Sequence, residues 1–168
     1  NFKDFKFRHR SKKNQIIYTS KKVKNDDEVL NLIDNFLIEK NSFIFESVEK
    51  GKIKGRYTIF GKNPDKIWEF NNNNSYLIKN KKKIKLKDKP AQLIEKIIEE
   101  FKFETPKKLP KICSLISGYF SYDSIRYIEK IPNKCKNDLN LPDVRLLRPR
   151  TLVIYDNVKK EIFYIINI

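Results

Sequence analysis

Methionine is absent from this 168-residue chain, and four other residue types are scarce: one histidine, one tryptophan, two cysteines and four glycines. The missing methionine leaves no natural start residue, so the chain is expected to be a piece of a longer protein. Cys113 and Cys135, with the lone His9, fall short of the four protein ligands that a structural zinc site needs. They read as free thiols in a reducing, cytoplasmic setting. Four glycines leave no room for a glycine-rich phosphate loop. His9 sits in a basic tail with no positioned partner, which argues against general-base catalysis. Long apolar runs are also missing. The stretch 162–166 is among the longest, far short of the roughly 20 residues of a membrane span. No apolar stretch follows the basic first residues, as a signal peptide would require.

What is present suffices for a core. The chain is 39% hydrophobic and 12% aromatic, unlike a disordered segment. Its formal net charge is +16. Lysine is spread along the chain, arginine is scarce, and asparagine and isoleucine are abundant. That is the look of a general compositional bias and not of a selected nucleic-acid face, which gathers its charge with base-reading arginines or aromatics. A basic nucleic-acid-binding module is therefore a rival reading only.

Periodicity predicts an α+β fold, mainly antiparallel sheet layers with two principal helices. Residues 1–14 read as a loose basic lead-in, and 15–168 as one domain. A strand is expected at 15–20. A helix follows Asp26 and Asp27, with Val29, Leu30, Ile33, Phe36 and Leu37 on one stripe. Strands are expected at 42–47 and 55–61, then a turn at Pro64-Asp65 and a returning strand at 66–70. Asparagines 71–74 mark a turn or loop, and 76–78 with 84–86 a hairpin. Pro90 opens a second helix with Leu93, Ile94, Ile97, Ile98 and Phe101 as its apolar stripe. Residues 113–120 read as a buried strand with Gly118 at a close backbone approach. A short helix or turn at 123–129 and a loop at 131–142 precede a last hairpin, 151–155 with 161–168. Its second arm is expected at an edge, paired with sequence beyond this chain.

No catalytic constellation emerges. The unusual stretch is 41–49, Asn-Ser-Phe-Ile-Phe-Glu-Ser-Val-Glu, an apolar strand that ends in a carboxylate and a hydroxyl. Arg56 on the next strand is expected to face Glu46 or Ser47. Such a group suits a zwitterion, with the carboxylate on an ammonium and apolar neighbours around a side chain. The plainer reading is a capped strand end with an ordinary ion pair.

Three blocks bear on that choice. The first is 41–49 continued by Gly55-Arg56-Tyr57-Thr58-Ile59-Phe60-Gly61 and Pro64. The second is Ser117-Gly118-Tyr119-Phe120-Ser121-Tyr122-Asp123, with Arg126, Glu129 and Pro132. The third is Leu141-Pro142-Asp143, Arg148-Pro149-Arg150-Thr151-Leu152 and Tyr155-Asp156-Asn157. In this order they resemble the N-terminal domain of anthranilate synthase component I, of the chorismate-utilising enzymes. The family's leucine-leucine-glutamate-serine is Ile44-Phe45-Glu46-Ser47 here. Thr58 stands for a serine, and Ser121 for the second glycine of glycine-tyrosine-phenylalanine-glycine-tyrosine-aspartate. Asp26-Asp27-Glu28-Val29 departs from the family's threonine-proline-valine.

The resemblance implies a regulatory and structural domain contributing half of a tryptophan feedback site, with Phe45, Glu46, Ser47 and Arg56 as inhibitor contacts. No catalytic or metal-binding residue is implied here. The active site and its magnesium belong to a C-terminal chorismate-binding domain, absent from this chain. Partners implied are that domain, a glutamine amidotransferase subunit and tryptophan, with no nucleic acid and no membrane. The N-terminal domain of aminodeoxychorismate synthase, in folate synthesis, is the alternative within the same group.

Overall fold

The computed structural model describes residues 7–11, 14–24, 27–36, 38–46, 55–132, 134 and 138–168. Among the described residues, nine strands and two α-helices run in the order β1 (Phe7–Ser11), β2 (Asn14–Lys22), α1 (Asp27–Phe36), β3 (Phe43–Phe45), β4 (Tyr57–Asn71), β5 (Asn74–Lys79), β6 (Lys82–Leu86), α2 (Pro90–Glu100), β7 (Ser117–Phe120), β8 (Val144–Asp156) and β9 (Glu161–Asn167). Short 3-10 turns occupy Lys111–Cys113 and Tyr122–Tyr127. The strands follow the order β1-β2-β9-β8-β4-β5-β6, with β3 on β4 and β7 on β8. The architecture is the expected α+β, with an antiparallel sheet. No helix among the described residues is long and apolar enough to cross a membrane.

The chain divides into two compact units. The first comprises Asn1–Pro64, Phe103–Leu115 and Pro149–Ile168. Its centre is β8, where Leu152, Val153, Ile154 and Tyr155 are all buried. A strand covered on both faces reads as a continuous apolar run, because alternate residues serve opposite cores. Leu152 and Ile154 join Ile16, Tyr18, Phe163, Ile165, Leu109 and Cys113 on one side. Val153 and Tyr155 join Ile162, Phe60 and two α1 residues, Val29 and Phe36, on the other. Helix α1 has Asp27 and Glu28 in its first turn, where carboxylates suit the helix dipole. Its Leu30 is exposed, so the apolar stripe is narrower than expected.

Sequence expectations at both ends of the chain are corrected in this unit. Phe7–Ser11, placed in a loose lead-in, is strand β1, paired antiparallel with β2 from Phe7↔Tyr18 to Ser11↔Asn14. The final strand is not an edge. β9 pairs with β2 on one side and β8 on the other, and its alternating side chains serve two cores, Phe163 and Ile165 on one face and Ile162 on the other.

The second unit comprises Asp65–Lys102 and Ile116–Arg148. Here α2 lays Leu93 and Ile97 on Trp68, Phe70, Val144 and Leu146, and Trp68 meets Phe101 edge-on at 5.7 Å. Pro90 holds the first helical turn as expected, whereas Ile98 faces solvent. The asparagines at 72 and 73 both have positive φ, 46° and 63°, as do Asn80 and Lys81 at 51° and 62°. Each pair therefore makes a two-residue hairpin turn of the type that demands φ > 0 twice. Asparagine tolerates that conformation better than most side chains.

The expected turn at Pro64-Asp65 does not form. Strand β4 runs on from Tyr57 to Asn71. Asn63 takes a left-handed φ of 52° and absorbs the irregularity, as a bulge does, so the proline that follows need not end the strand.

Cys113 lies in the 3-10 turn and not in a strand, fully buried in the first core. Burial pushes its thiol up to about 11, despite a hydrogen bond to Thr105. Thiolate-selective reagents should therefore leave Cys113 unmodified in the native chain at pH 8 and label it on unfolding, as read by mass spectrometry of the Cys113 peptide. Leu152→Ala should lower stability by about 3 kcal/mol in urea denaturation, the usual cost of a large cavity in a packed core.

Candidate functional site

The expected site lies where β3 leaves α1 and docks on β4. Phe36 of α1 packs edge-on against Phe60, their centroids 5.6 Å apart. Lys62 Nζ sits 4.8 Å over the Phe36 ring and 3.1 Å from Glu39 Oε1. The hydroxyl of Ser42 donates to the Glu39 carbonyl at 2.7 Å, beside Asn41 at φ 64°. This turn delivers β3 in register with β4: Phe43↔Gly61, Ile44↔Phe60 and Phe45↔Ile59. Gly61 leaves room for the Phe43 ring to lie over β4. A Cβ at that position would stand 2.3 Å from the Phe43 ring.

Phe45 is 48% exposed at the end of β3, against Phe43 at a centroid distance of 4.9 Å. Glu46 follows, also exposed, and its carboxylate has no hydrogen bond or ion pair among the described residues. Ser47 lies outside the described residues. Of the four expected contacts, the structure places Phe45 and Glu46 side by side in sequence at an open strand end.

Arg56 has a different partner from the one its spacing suggested. Its guanidinium does not pair with Glu46. It grips the Asp156 carboxylate, Nη2 to Oδ2 at 2.7 Å and Nε to both oxygens at 3.2 Å. The Arg56 guanidinium also lies 5.0 Å over the Tyr57 ring. Asp156 is 1% exposed. Its Oδ1 accepts the N–H groups of Val158 and Lys159, both at 3.0 Å. Burial alone would raise the Asp156 carboxyl. The hydrogen bonds from Arg56, Lys159 and Val158 outweigh it and hold the group below the usual carboxylate value. The turn beyond β8 closes the clasp: Asn157 N–H donates to the Arg56 carbonyl at 2.8 Å, and Asn157 Nδ2 lies 3.4 Å from Thr58 Oγ1. The Arg56–Thr58 segment of the first block and the Asp156-Asn157 end of the third therefore meet within the first unit.

Against known proteins the chain gives a consistent answer. It is 31% identical over 166 residues to anthranilate synthase component 1 of Cereibacter sphaeroides, covering 96% of this chain and 33% of that protein. It is 31% identical over 140 residues to the Acetivibrio thermocellus enzyme of the same name, covering 83% of this chain and 28% of that protein. The chain belongs to the anthranilate synthase component I family. It spans about a third of the length of these relatives. Its fold is similar to that of anthranilate synthase component I from Streptococcus pneumoniae TIGR4, with a TM-score of 0.53 and 23% identity over 79% of this chain and 28% of that one. No family model matches the chain.

Within the anthranilate synthase component I family fold, the second block is held by its polar residues. Gly118 pairs with Leu146, and a Cβ there would lie 1.9 Å from the Arg145 carbonyl oxygen, so the close approach read from sequence is real. Ser121 N–H donates to the Asp143 carbonyl at 2.7 Å. The Asp143 carboxylate accepts Tyr127 OH at 2.7 Å and Asn72 N–H at 3.0 Å. Arg126 Nη1 donates to the carbonyls of Ile131 and Pro132. The expected burial of 113–120 does not extend to Phe120, which is 56% exposed, and Tyr122 beyond it is 83% exposed.

A cavity of about 590 Å3 in the second unit was not legible in the sequence. Glu69, Asn71, Tyr76, Lys83 and Asn140 are among its lining residues. They come from three separated stretches, and only the antiparallel pairing of β4 with β5 and of β5 with β6 brings most of them together.

Asp156→Ala should lower stability by about 2 kcal/mol at neutral pH, the scale of lost charge-assisted hydrogen bonds at a buried acceptor. The pH dependence has a definite sign. A depressed native pKa gives stability that is whole above the unfolded value of about 4 and is lost as pH falls through the lower native value. Urea midpoints between about pH 5 and pH 2 should therefore fall more steeply in the parent than in the Asp156→Ala variant.

Proposed function

We propose that the chain is the N-terminal regulatory and structural part of anthranilate synthase component I, and that it supplies half of a tryptophan feedback site. The complete enzyme would convert chorismate and ammonia, or glutamine through an amidotransferase partner, to anthranilate in tryptophan biosynthesis. Its active site and magnesium would belong to a C-terminal chorismate-binding domain outside this chain.

The observation that supports the reading is the open end of β3. An exposed aromatic, Phe45, and an uncommitted carboxylate, Glu46, stand together on a strand fixed in register by Gly61 and Phe60. Glu46 would take the ammonium of tryptophan in a charge-assisted hydrogen bond, and Phe45 would pack on its side chain. Ser47 would add a hydroxyl. Arg56 enters differently. Its guanidinium is held by Asp156, so its part in the site would be to fix the start of β4 beside β3. For tryptophan to inhibit at a distance, it must bind two states of the enzyme unequally, and the second half of the pocket would provide that difference.

The test is chorismate-to-anthranilate turnover by the full-length enzyme, with and without tryptophan. Ser47→Ala and Glu46→Gln should each raise the half-inhibitory tryptophan concentration by about tenfold or more, with uninhibited kcat and KM unchanged, as expected when a hydrogen bond to a charged group is lost. Anthranilate production insensitive to tryptophan in the parent would remove the regulatory claim. An enzyme that makes no anthranilate would overturn the reading altogether.

A further inference from the structure

The hairpin of β5 and β6 concentrates charge that the rest of the chain disperses. Seven of the eleven residues at 79–89 are lysines, with Asp88 the single carboxylate. Elsewhere lysines such as Lys62, Lys66 and Lys102 rest on glutamates. In the hairpin, Lys83 reaches Glu69 at 2.8 Å and lies 4.6 Å over the Tyr76 ring. The side chains of Lys79, Lys81, Lys82, Lys85, Lys87 and Lys89 have no hydrogen bond or ion pair among the described residues, and all are exposed. Lys79 stands directly opposite Lys82, with Lys81 in the turn between them. Like charges facing each other across a strand pair are destabilising, so the chain alone leaves a repulsion here that an anion would relieve.

The backbone adds a second feature. β6 ends the strand order, and among the described residues nothing pairs with its outer side. The two-residue turn at Asn80-Lys81 makes its flanking pair, Lys79 and Lys82, a hydrogen-bonded one. Pairs then alternate along the ladder. Lys83, opposite Ile78, and Lys85, opposite Tyr76, turn their N–H and C=O groups to the open edge. The edge thus offers main-chain hydrogen bonds flanked by unpaired ammonium groups.

We infer that the outer edge of β6 is a docking site for an extended, carboxylate-rich segment of a partner protein, which adds to the sheet as a further strand. Charge complementarity selects an acidic occupant. The free edge selects a polypeptide over a nucleic acid, which has no use for strand hydrogen bonds. The hairpin has no arginine for bidentate phosphate contacts, and Lys83 already covers the Tyr76 ring where a base would stack. Lysines can also serve only to keep edge strands from aggregating, and the experiment separates the two roles.

The probe is a fluorescent peptide of about nine residues alternating glutamate and valine, titrated with the 168-residue chain and followed by anisotropy. Saturable binding that weakens with added salt is expected, together with slowed hydrogen exchange at the Lys83 and Lys85 amides. A K81Q/K82Q/K85Q variant should bind about tenfold more weakly. Lys85→Pro removes an outward N–H and spares the ladder, so it should abolish amide protection with the circular dichroism spectrum retained, whereas Lys85→Gln keeps that protection. Equal binding by Lys85→Pro and Lys85→Gln would reduce the site to a bare charge effect and overturn strand addition. Tighter binding of single-stranded oligodeoxythymidine or of phosphatidylserine vesicles than of the peptide would assign the lysines to phosphate. No binding of any probe, or binding by the isolated chain that the full-length enzyme lacks, would leave the lysines as an anti-aggregation edge and refute the proposal.

Discussion

A buried carboxylate organises the first unit. Asp156 ends the central strand β8 with almost no solvent contact, and so it must be matched by donors. Arg56 and the N–H groups of Val158 and Lys159 supply them. The arrangement ties the β8–β9 turn to the start of β4, a separation of 100 residues in sequence. The start of β4 in turn sets the strand on which β3 lies in register. The exposed pair at the end of β3, Phe45 and Glu46, thus depends on an ion pair that does not touch it.

The second unit shows the same division of labour between polar and apolar residues. Its core is made by Trp68, Phe70, Leu93, Ile97, Val144 and Leu146. Its loops are fixed by Asp143, which collects hydrogen bonds from Tyr127 and Asn72, and by Arg126 on two carbonyls. Phe120 and Tyr122 are left outside the packing and open to solvent. A motif rich in aromatics need not mark a core. Here the hydrogen-bonding residues hold the backbone, and the aromatics form surface. Lysine behaves in a comparable way. A composition that looks like uniform bias along the sequence is sorted by the fold into lysines paired with carboxylates, such as Lys62 and Lys66, and others that are not, six of them at 79–89.

Much of the fold was legible in the sequence where local physics decides. Pro90 at a helix start, the apolar spacing of α2, the asparagine turns and the close approach at Gly118 all follow from steric preferences of one or a few residues. The β3 strand and its acidic end were likewise visible as an apolar triplet followed by Glu46. So were the three blocks that carry the family resemblance, because such a pattern survives in the order of residues alone.

The rest was decided by residues distant in sequence. Pro64 signals a turn, yet β4 continues through it because Asn63 takes the left-handed conformation. The apolar run of β9 is compatible with an edge or a centre, and only its pairing with both β2 and β8 makes it central. Arg56 was expected to face Glu46 or Ser47 by local spacing, and the buried end of β8 brought Asp156 instead. Glu69, Tyr76 and Lys83 share a cavity through strand register, to which no spacing rule points. The sequence by itself determined both helices, most strands, the asparagine turn at 72–73 and the family resemblance, since these depend on short-range sterics and residue order. Tertiary structure decided which strand is central, which charges pair and which side chains remain open to a ligand, since burial and pairing are properties of neighbours that the chain brings together only on folding.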